Sequence, residues 1–306
     1  MGIVDCHCDI ISRLWQSQES LYTNSGQFDL YRARQAGVVL QFCALFTAET
    51  GDGALRSVLN QWDYFYQELA QNQDRAYSIR SWEDIAREPE TRIGCLIHLE
   101  GGEALGRDAG FLRLFYHLGL RSIGLTWNHR NLLADGVMED ASQGGLSHLG
   151  RQVVELAQEL GMVIDLAHIS ERGFFDVLDL VDGPVMVSHS NARRICDHPR
   201  NLSDGQLQAL AENGGIVGCT LVPGFVGPGE PGLDEFIDHM VHISYMVGVE
   251  HVALGSDFDG VDTAVLPDVS AYIAIPPALQ QRGFNQEEID KILKDNVLNL
   301  LEKVLK

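Results

Sequence analysis

Lysine is scarce in this chain of 306 residues. Its four lysines are confined to the last segment, at Lys291, Lys294, Lys303 and Lys306. A Schiff-base aldolase, a pyridoxal phosphate enzyme and a P-loop nucleotide-binding protein each need a lysine within the fold, so these classes are excluded. A carboxylated lysine that bridges two metal ions is excluded for the same reason. A bridging ligand would therefore have to be Asp or Glu.

Several other signals are missing. No apolar run approaches the ~18 residues of a membrane-spanning helix, and no secretory signal opens the sequence. No Gly-x-Gly-x-x-Gly motif follows the first apolar run, and no serine stands in a nucleophile elbow. The six cysteines are scattered, mostly in or beside apolar runs, which is typical of reduced, buried thiols. These features predict a soluble cytoplasmic protein without a membrane partner.

The charge of the chain narrows the choice of partner further. The net charge is −21 and the pI is about 4.7. Affinity for nucleic acid phosphates or for an anionic membrane depends on clustered Lys and Arg, so neither is expected as a partner. An anionic group on a small substrate would need an arginine placed to bind it.

Short apolar runs alternate with segments of helical periodicity. The predicted strands are residues 3–5, 38–46, 93–99, 122–126, 162–166, 185–188, 215–221 and 252–255. Helical stripes end before Gly161 and Gly248, and a glycine at such a place is typical of a helix C-cap. Eight strands alternating with helices predict a (β/α)8 barrel, as a single domain over residues 1–306. Residues 267–284 have the least regular pattern and are expected to form a loop over the active-site face or an edge connection.

Residues that bind metals follow five of these strands. They are His7 and Asp9 after the first strand, Glu100 after the third, His168 after the fifth, His189 after the sixth and Asp257 after the eighth. The C-terminal ends of barrel strands open on one face, where active sites are found, so these side chains are expected to converge. Singly, each histidine could be a core residue and each carboxylate a helix cap. Their common position favours a metal centre.

The donor set suggests the kind of centre. Three histidines and two carboxylates suit two divalent ions ~3.5–4 Å apart, with Zn²⁺ as the leading candidate. We assign His7 and Asp9 to one ion, His168 and His189 to the other, and Glu100 as the bridge. Two ions would share a bridging water whose pKa is lowered enough to supply hydroxide near neutral pH. The pattern therefore predicts a metal-dependent hydrolase.

Asp257 has a different predicted role. It stands in the segment GSDFDG, residues 255–260, and is expected to hold the attacking water and pass its proton to the leaving group. The segment is a poor calcium loop because it lacks the third early ligand and the closing Glu of an EF-hand.

The motifs together resemble one family. They are DCHCD at residues 5–9, LEGG at 99–102, DLAHIS at 165–170, SHS at 188–190, RN at 200–201 and GSDFDGV at 255–261. In this order, and over nearly the whole chain, they resemble the membrane dipeptidase (renal dipeptidase) family of zinc peptidases, in its bacterial branch. The resemblance implies a binuclear zinc barrel that cleaves dipeptides, with Glu100 bridging and Asp257 in proton transfer.

The resemblance also implies how the substrate is held. Arg200 would bind the C-terminal carboxylate, for which a planar guanidinium fork is suited. If that carboxylate and the scissile carbonyl fix the C-terminal residue, its side chain can have either configuration. Both L,L and L,D dipeptides are therefore expected substrates.

The fourth strand departs from the family pattern. Family members carry a histidine directly after the Thr of this strand, where it contacts the scissile carbonyl, but this chain has Thr126-Trp127-Asn128-His129. We expect His129, two residues further on, to bind the substrate in its place.

Two other functions stay open on the residues alone. One is another amidohydrolase-like barrel, such as a lactonase, phosphotriesterase or deaminase; those enzymes typically open with His-x-His and often bridge through a lysine, whereas here Asp9 follows His7 by two residues. The other is a catalytically silent metal-binding barrel, which would be expected to have lost a ligand, and none is missing. The preferred dipeptide and the oligomeric state, monomer or homodimer, do not follow from the sequence.

Overall fold

The computed structural model of this chain describes residues 2–88 and 91–306. Within these ranges nine strands form one sheet. They are β1 (Ile3–Cys8), β2 (Val38–Phe46), β3 (Ala76–Ser78), β4 (Ile93–Glu100), β5 (Leu120–Gly124), β6 (Val163–Asp165), β7 (Met186–Ser190), β8 (Ile216–Cys219) and β9 (Val252–Leu254).

Helices connect the strands. The α-helices are α1 (Ile10–Ser17), α2 (Leu30–Ala36), α3 (Asp52–Gln71), α4 (Trp82–Arg87), α5 (Gly110–Leu118), α6 (His148–Leu160), α7 (Glu171–Leu178), α8 (Asp204–Glu212), α9 (Pro223–Val226), α10 (Leu233–Val247), α11 (Ile275–Gln281), α12 (Gln286–Asp290) and α13 (Asn296–Val304). Short 3-10 segments occur at Glu103–Leu105, Val137–Ser142, Val249–His251 and Val269–Ala274, and a π-helical turn at Lys291–Asp295 joins α12 to α13. None of the described helices is long and apolar enough to cross a membrane.

Eight of the strands close into a barrel. The order around it is β2, β1, β9, β8, β7, β6, β5 and β4, and β4 pairs back onto β2. The pairings are parallel throughout. A closed parallel barrel with helices between its strands is the (β/α)8 fold that the sequence predicts.

Helix ends at two glycines confirm the periodicity argument. Helix α6 ends at Gly161 with φ of 73°, and α10 ends at Gly248 with φ of 99°. Both values lie in the left-handed region, which glycine enters without steric cost. Each helix then leads within a few residues into the next strand. The cysteines also follow the prediction, because all six are free and five are buried.

Two parts of the chain differ from the prediction. The short strand β3 was not predicted; it pairs with the first residues of β4, along the edge that β5 uses further on. Residues 267–284 were expected to form a loop, but the 3-10 segment and α11 occupy much of this range. The adjacent Pro276 and Pro277 obscured the helix in the sequence, although proline is tolerated in a first helical turn.

Candidate metal centre

The six predicted strand-end residues meet at one end of the barrel. His7 and His189 lie within β1 and β7, which extend further than predicted, and Glu100 is the last residue of β4. His168 and Asp257 follow β6 and β9. Asp257 is half-buried, and the other five are buried. The predicted convergence is therefore present in the structure.

Glu100 lies between two groups of potential ligands. Its Oε2 atom is 3.6 Å from Nε2 of His7. Its Oε1 atom is 2.9 Å from Nε2 of His168 and 3.7 Å from Nε2 of His189. Each carboxylate oxygen thus faces a different group, as expected of a carboxylate shared between two metal ions.

The first group contains His7, Asp9 and Asp257. Nε2 of His7 is 3.3 Å from Asp9 Oδ2 and 3.7 Å from Asp257 Oδ1. Asp9 is not extended, with φ of −84° and ψ of 23°, and it begins α1 without a capping bond from its side chain. Asp9 therefore lies outside the extended strand, although its side chain still meets that of His7. Gly260 gives them room, because a Cβ there would lie 2.5 Å from Asp9 Oδ2.

His7 has the environment of a group beside a cation site. Burial alone would lower its pKa, but Glu100 and Asp9 outweigh that effect and raise the pKa of His7 well above its ordinary value. Its second nitrogen, Nδ1, is buried and has no hydrogen-bond partner among the described residues. Such a concentration of carboxylates around one imidazole is favourable only with positive charge among them.

His189 belongs to the second group, and its proton position can be deduced. The Ser188 hydroxyl lies 2.5 Å from Asp165 Oδ2 and 2.8 Å from His189 Nδ1. Burial, with His7 nearby, holds the pKa of His189 well below its ordinary value, so the ring is neutral. Because a carboxylate only accepts, Ser188 donates to Asp165 and accepts from the Nδ1–H of His189. The Nε2 atom of His189 is left with a free lone pair.

His168 is arranged in the same way. Its Nδ1 lies 2.8 Å from Asn128 Oδ1, an amide oxygen that accepts the Nδ1–H. Burial lowers the pKa of His168 to about 4, so this ring is also neutral. The Nε2 atoms of His168 and His189 are 2.8 Å apart. Two lone pairs and a Glu100 oxygen then face one another without a proton, and this donor set fits a divalent metal ion.

Backbone strain is concentrated at the same place. His168, Asp257 and Asp259 have φ of 66°, 64° and 63°, in a region that residues other than glycine seldom enter.

Burial raises the pKa of Asp257 well above its ordinary value, and the nearby carboxylate of Asp9 adds to the rise. A carboxyl group with a raised pKa is suited to take up and release protons near neutral pH.

Arg200 lies beside the second group of ligands. It is 5% exposed, and its Nη2 donates to the carbonyl of His189 at 3.2 Å. Burial lowers the pKa of Arg200 to about 10, which leaves it charged at neutral pH. Its Nε has no hydrogen-bond partner among the described residues. A charged guanidinium with a free donor in a buried position can bind a carboxylate.

The structure does not bring His129 to this cluster. Its side chain is 68% exposed, and its Nδ1 lies 3.7 Å from Glu139. Asn128 and Trp127, the two residues before it, approach the site instead. Asn128 bonds to His168, and the ring centroid of Trp127 is 6.2 Å from that of His168.

Two buried Asp–Ser pairs that sequence reasoning missed hold the site together. Asp5 accepts from the backbone N–H of Ser256 at 2.8 Å and from its hydroxyl at 2.7 Å. Asp165 accepts from the N–H of Ser188 at 2.8 Å and from its hydroxyl at 2.5 Å. Each pair joins neighbouring barrel strands or their ends. The available signal was a serine directly before both Asp257 and His189.

Comparisons with known proteins point to one family. Residues 1–306 match the family described as membrane dipeptidase (peptidase family M19). Dipeptidase tcpJ of Claviceps purpurea is 32% identical over 265 residues, which are 85% of this chain but only 62% of that protein. The uncharacterized dipeptidase C3A11.10c of Schizosaccharomyces pombe is 30% identical over 326 aligned residues, covering 97% of this chain and 80% of that protein.

A solved structure has the same fold. A metallo peptidase from Rhodobacter sphaeroides, in complex with a phosphinate mimic of the dipeptide L-Ala-D-Ala, superposes with a TM-score of 0.94 at 26% identity and covers 99% of each chain. The family match over the whole length is the decisive finding. The chain belongs to the membrane dipeptidase family, peptidase family M19.

Proposed function

We propose that this chain is a metal-dependent dipeptidase that hydrolyses the peptide bond of dipeptides. The observation that carries the proposal is the position of Glu100, which turns one carboxylate oxygen to each of two groups of buried ligands. The relatives support the same reaction, since one is named a dipeptidase and another was solved with a dipeptide mimic.

Two zinc ions are the cofactor that the donor set suits best. His7 and Asp9 would hold one ion, His168 and His189 the other, and Glu100 both; nitrogen and carboxylate donors in these numbers are typical of zinc. When bound, the ions would supply a water of lowered pKa and polarise the scissile carbonyl.

Asp257 carries the proton in this proposal. Its carboxylate takes the proton from the attacking water and delivers it to the nitrogen of the leaving amino acid. Its Oδ1 lies 3.7 Å from His7 Nε2, at the edge of the ligand group. Its backbone N–H donates to the carbonyl of His7 at 3.1 Å, which fixes its position.

Arg200 selects the length of the substrate. Its guanidinium would bind the free C-terminal carboxylate, so a peptide with a second residue beyond the scissile bond would not fit. The C-terminal residue is then fixed by its carboxylate and by the scissile carbonyl, and its side chain can point to the open mouth in either configuration. L,D dipeptides should therefore be hydrolysed as well as L,L ones.

The test compares a dipeptide with its C-terminal amide and with the corresponding tripeptide, after the metal content of the protein has been measured. Wild type should cleave the free dipeptide far faster than either analogue. Arg200→Ala should lose about 1.5–3 kcal/mol of transition-state binding for the dipeptide, the size of a charge-assisted hydrogen bond, and should no longer distinguish it from the amide. Arg194→Ala, at an exposed position in the same loop, is the matched control. Equal rates for the amide and the dipeptide in wild type would favour the amidohydrolase alternative.

We also propose that the protein works in the cytoplasm. Its six free cysteines, five of them buried, suit a reducing compartment. Fractionation of cells that express the full-length protein, followed by a dipeptidase assay of each fraction, tests this location.

A further inference from the structure

We propose that Trp127 and Phe46 form an aromatic wall that selects dipeptides with an apolar side chain on their N-terminal residue. The inference rests on the proposed dipeptidase function and names a substrate class for it. It starts from the position directly after Thr126, where this chain has an indole.

Trp127 lies against the second ligand group. Its ring centroid is 6.2 Å from that of His168, with an angle of 37° between the ring planes. The same ring lies 5.3 Å from the ring of Phe46. Both aromatic side chains are half-buried, so each keeps part of its surface available to a ligand.

Phe46 is held at the same level as the shared carboxylate. It is the last residue of β2 and pairs in register with Glu100 of β4. Directly paired residues of neighbouring strands point to the same side of a sheet, so Phe46 and Glu100 face the same side. The Gln61 side chain, in α3, donates to the Phe46 carbonyl at 2.6 Å and accepts from its N–H at 3.2 Å. The ring is therefore presented by a fixed backbone.

The backbone of Trp127 is also fixed. A Cβ on Gly136 would lie 2.4 Å from the carbonyl oxygen of Trp127, so the loop packs tightly there and needs a glycine. The next residue, Asn128, accepts from His168 at 2.8 Å. The backbones that carry both rings are thus fixed before any substrate arrives, which limits the entropy lost on binding.

The wall and Arg200 lie in different sectors of the barrel mouth. Phe46 is the last residue of β2, and Trp127 follows β5; these two strands are the neighbours of β4 in the barrel. Arg200 follows β7. If Arg200 holds the C-terminal carboxylate, the C-terminal residue occupies the sector of β7. The side chain of the N-terminal residue is then left to the aromatic sector. The rest of the mouth carries Asp9 and Asp257, which disfavour an acidic side chain.

The experiment measures kcat/KM for X-Ala and Ala-X dipeptides, with X as Phe, Leu, Ala or Asp, on the metal-loaded protein. Wild type should prefer Phe-Ala and Leu-Ala to Ala-Ala by about tenfold or more, the scale of added apolar contact in a pocket, and should disfavour Asp-Ala. Trp127→Ala should reduce the preference to within about threefold, and Trp127→Phe should retain most of it. The Ala-X series should vary less than the X-Ala series.

Two controls separate the wall from general damage. Metal content should be unchanged in Trp127→Ala, since the ring ligates nothing, and Trp82→Ala, a half-buried tryptophan of α4, should keep the wild-type preference. A preference that survives in Trp127→Ala, or that follows the C-terminal residue, overturns the proposal. If metal-loaded wild type cleaves no dipeptide, the proposed function fails. The aromatic wall is then tested by calorimetric measurement of dipeptide binding. Phe-Ala binding no tighter than Ala-Ala would overturn the wall as well.

Discussion

Two parts of the barrel mouth, which we call its halves, are each held by a buried Asp–Ser pair. In the half formed by β9 and β1, Asp5 is bonded to Ser256, the residue before Asp257. In the half formed by β6 and β7, Asp165 is bonded to Ser188, the residue before His189. In both pairs one carboxylate oxygen accepts from the serine N–H and the other from the serine hydroxyl. A buried carboxylate with several donors fixes the neighbouring backbone, so each site residue starts from a rigid position.

The difference between the halves lies in what the serine hydroxyl touches next. Ser188 contacts the ring nitrogen of His189 at 2.8 Å, and so determines which nitrogen carries the proton. Ser256 instead reaches the backbone carbonyl of His7 at 3.0 Å, and Asp5 takes a third strong bond from the Tyr272 hydroxyl at 2.6 Å. One pair therefore controls a predicted ligand directly, whereas the other secures only the backbone.

The largest effect is expected where the halves join. Glu100→Gln should remove activity and reduce metal content in both halves, because one carboxylate faces both ligand groups and an amide is a poor bridge. Metal analysis after removal of loosely bound ions, together with a dipeptidase assay, measures this. Glu139→Gln, at a half-buried carboxylate of the 3-10 segment Val137–Ser142, is the control. Two fully bound ions with normal turnover would refute the shared-carboxylate assignment.

Asp257→Asn should have the next largest effect. The substitution keeps the shape of the side chain and removes the proton carrier, so kcat should fall by about 10²-fold or more, the scale of general acid–base catalysis. Metal content and melting temperature should remain close to wild type, because the backbone stays fixed by Ser256 and Asp5. A kcat near the wild-type value would show that the proton takes another route.

Asp165→Asn and Asp5→Asn separate the two pairs. An amide at residue 165 can donate to Ser188, which then donates to Nδ1 of His189 and moves the ring proton to Nε2. Metal affinity or activity should fall by about 10–100-fold, as for other partners of metal-binding histidines. A metal titration of Asp165→Asn measures the loss.

Asp5→Asn should act on stability instead. The backbone N–H of His7, both groups of Ser256 and the Tyr272 hydroxyl all donate to Asp5, and an amide NH2 would face some of these donors. We expect a loss of about 1–3 kcal/mol in the free energy of unfolding for each donor left unsatisfied, with metal affinity per folded molecule retained. Denaturant unfolding measures the first quantity. A weaker metal affinity without a loss of stability would abolish the contrast between the halves.

The sequence predicted the barrel because its signals are local and periodic. The meeting of strand-end residues such as Glu100 and His168 follows from the common geometry of parallel barrel strands. Asp5 and Asp165 were not predicted, since a buried carboxylate within an apolar strand has no role until its donors from other strands are known. The strand β3 has only three residues, too few to show the alternation of buried and exposed side chains that marks a strand. The two prolines in the first turn of α11 concealed that helix. Loop residues were the least predictable, because the fold, and not the spacing, decides which of Trp127, Asn128 and His129 turns inward.

The smallest effect is expected for His129→Ala, and its neighbour supplies the contrast. The His129 side chain is 68% exposed and lies 3.7 Å from Glu139, so its removal should change kcat/KM by no more than about twofold, as for other surface substitutions. Asn128→Ala removes the acceptor that fixes the proton of His168 and should weaken metal binding about 10-fold or more. Measured side by side, the two variants test whether this loop acts through the β6–β7 half or through the substrate. A tenfold fall in kcat/KM for His129→Ala with unchanged metal content would give His129 the substrate-binding role that the sequence suggested.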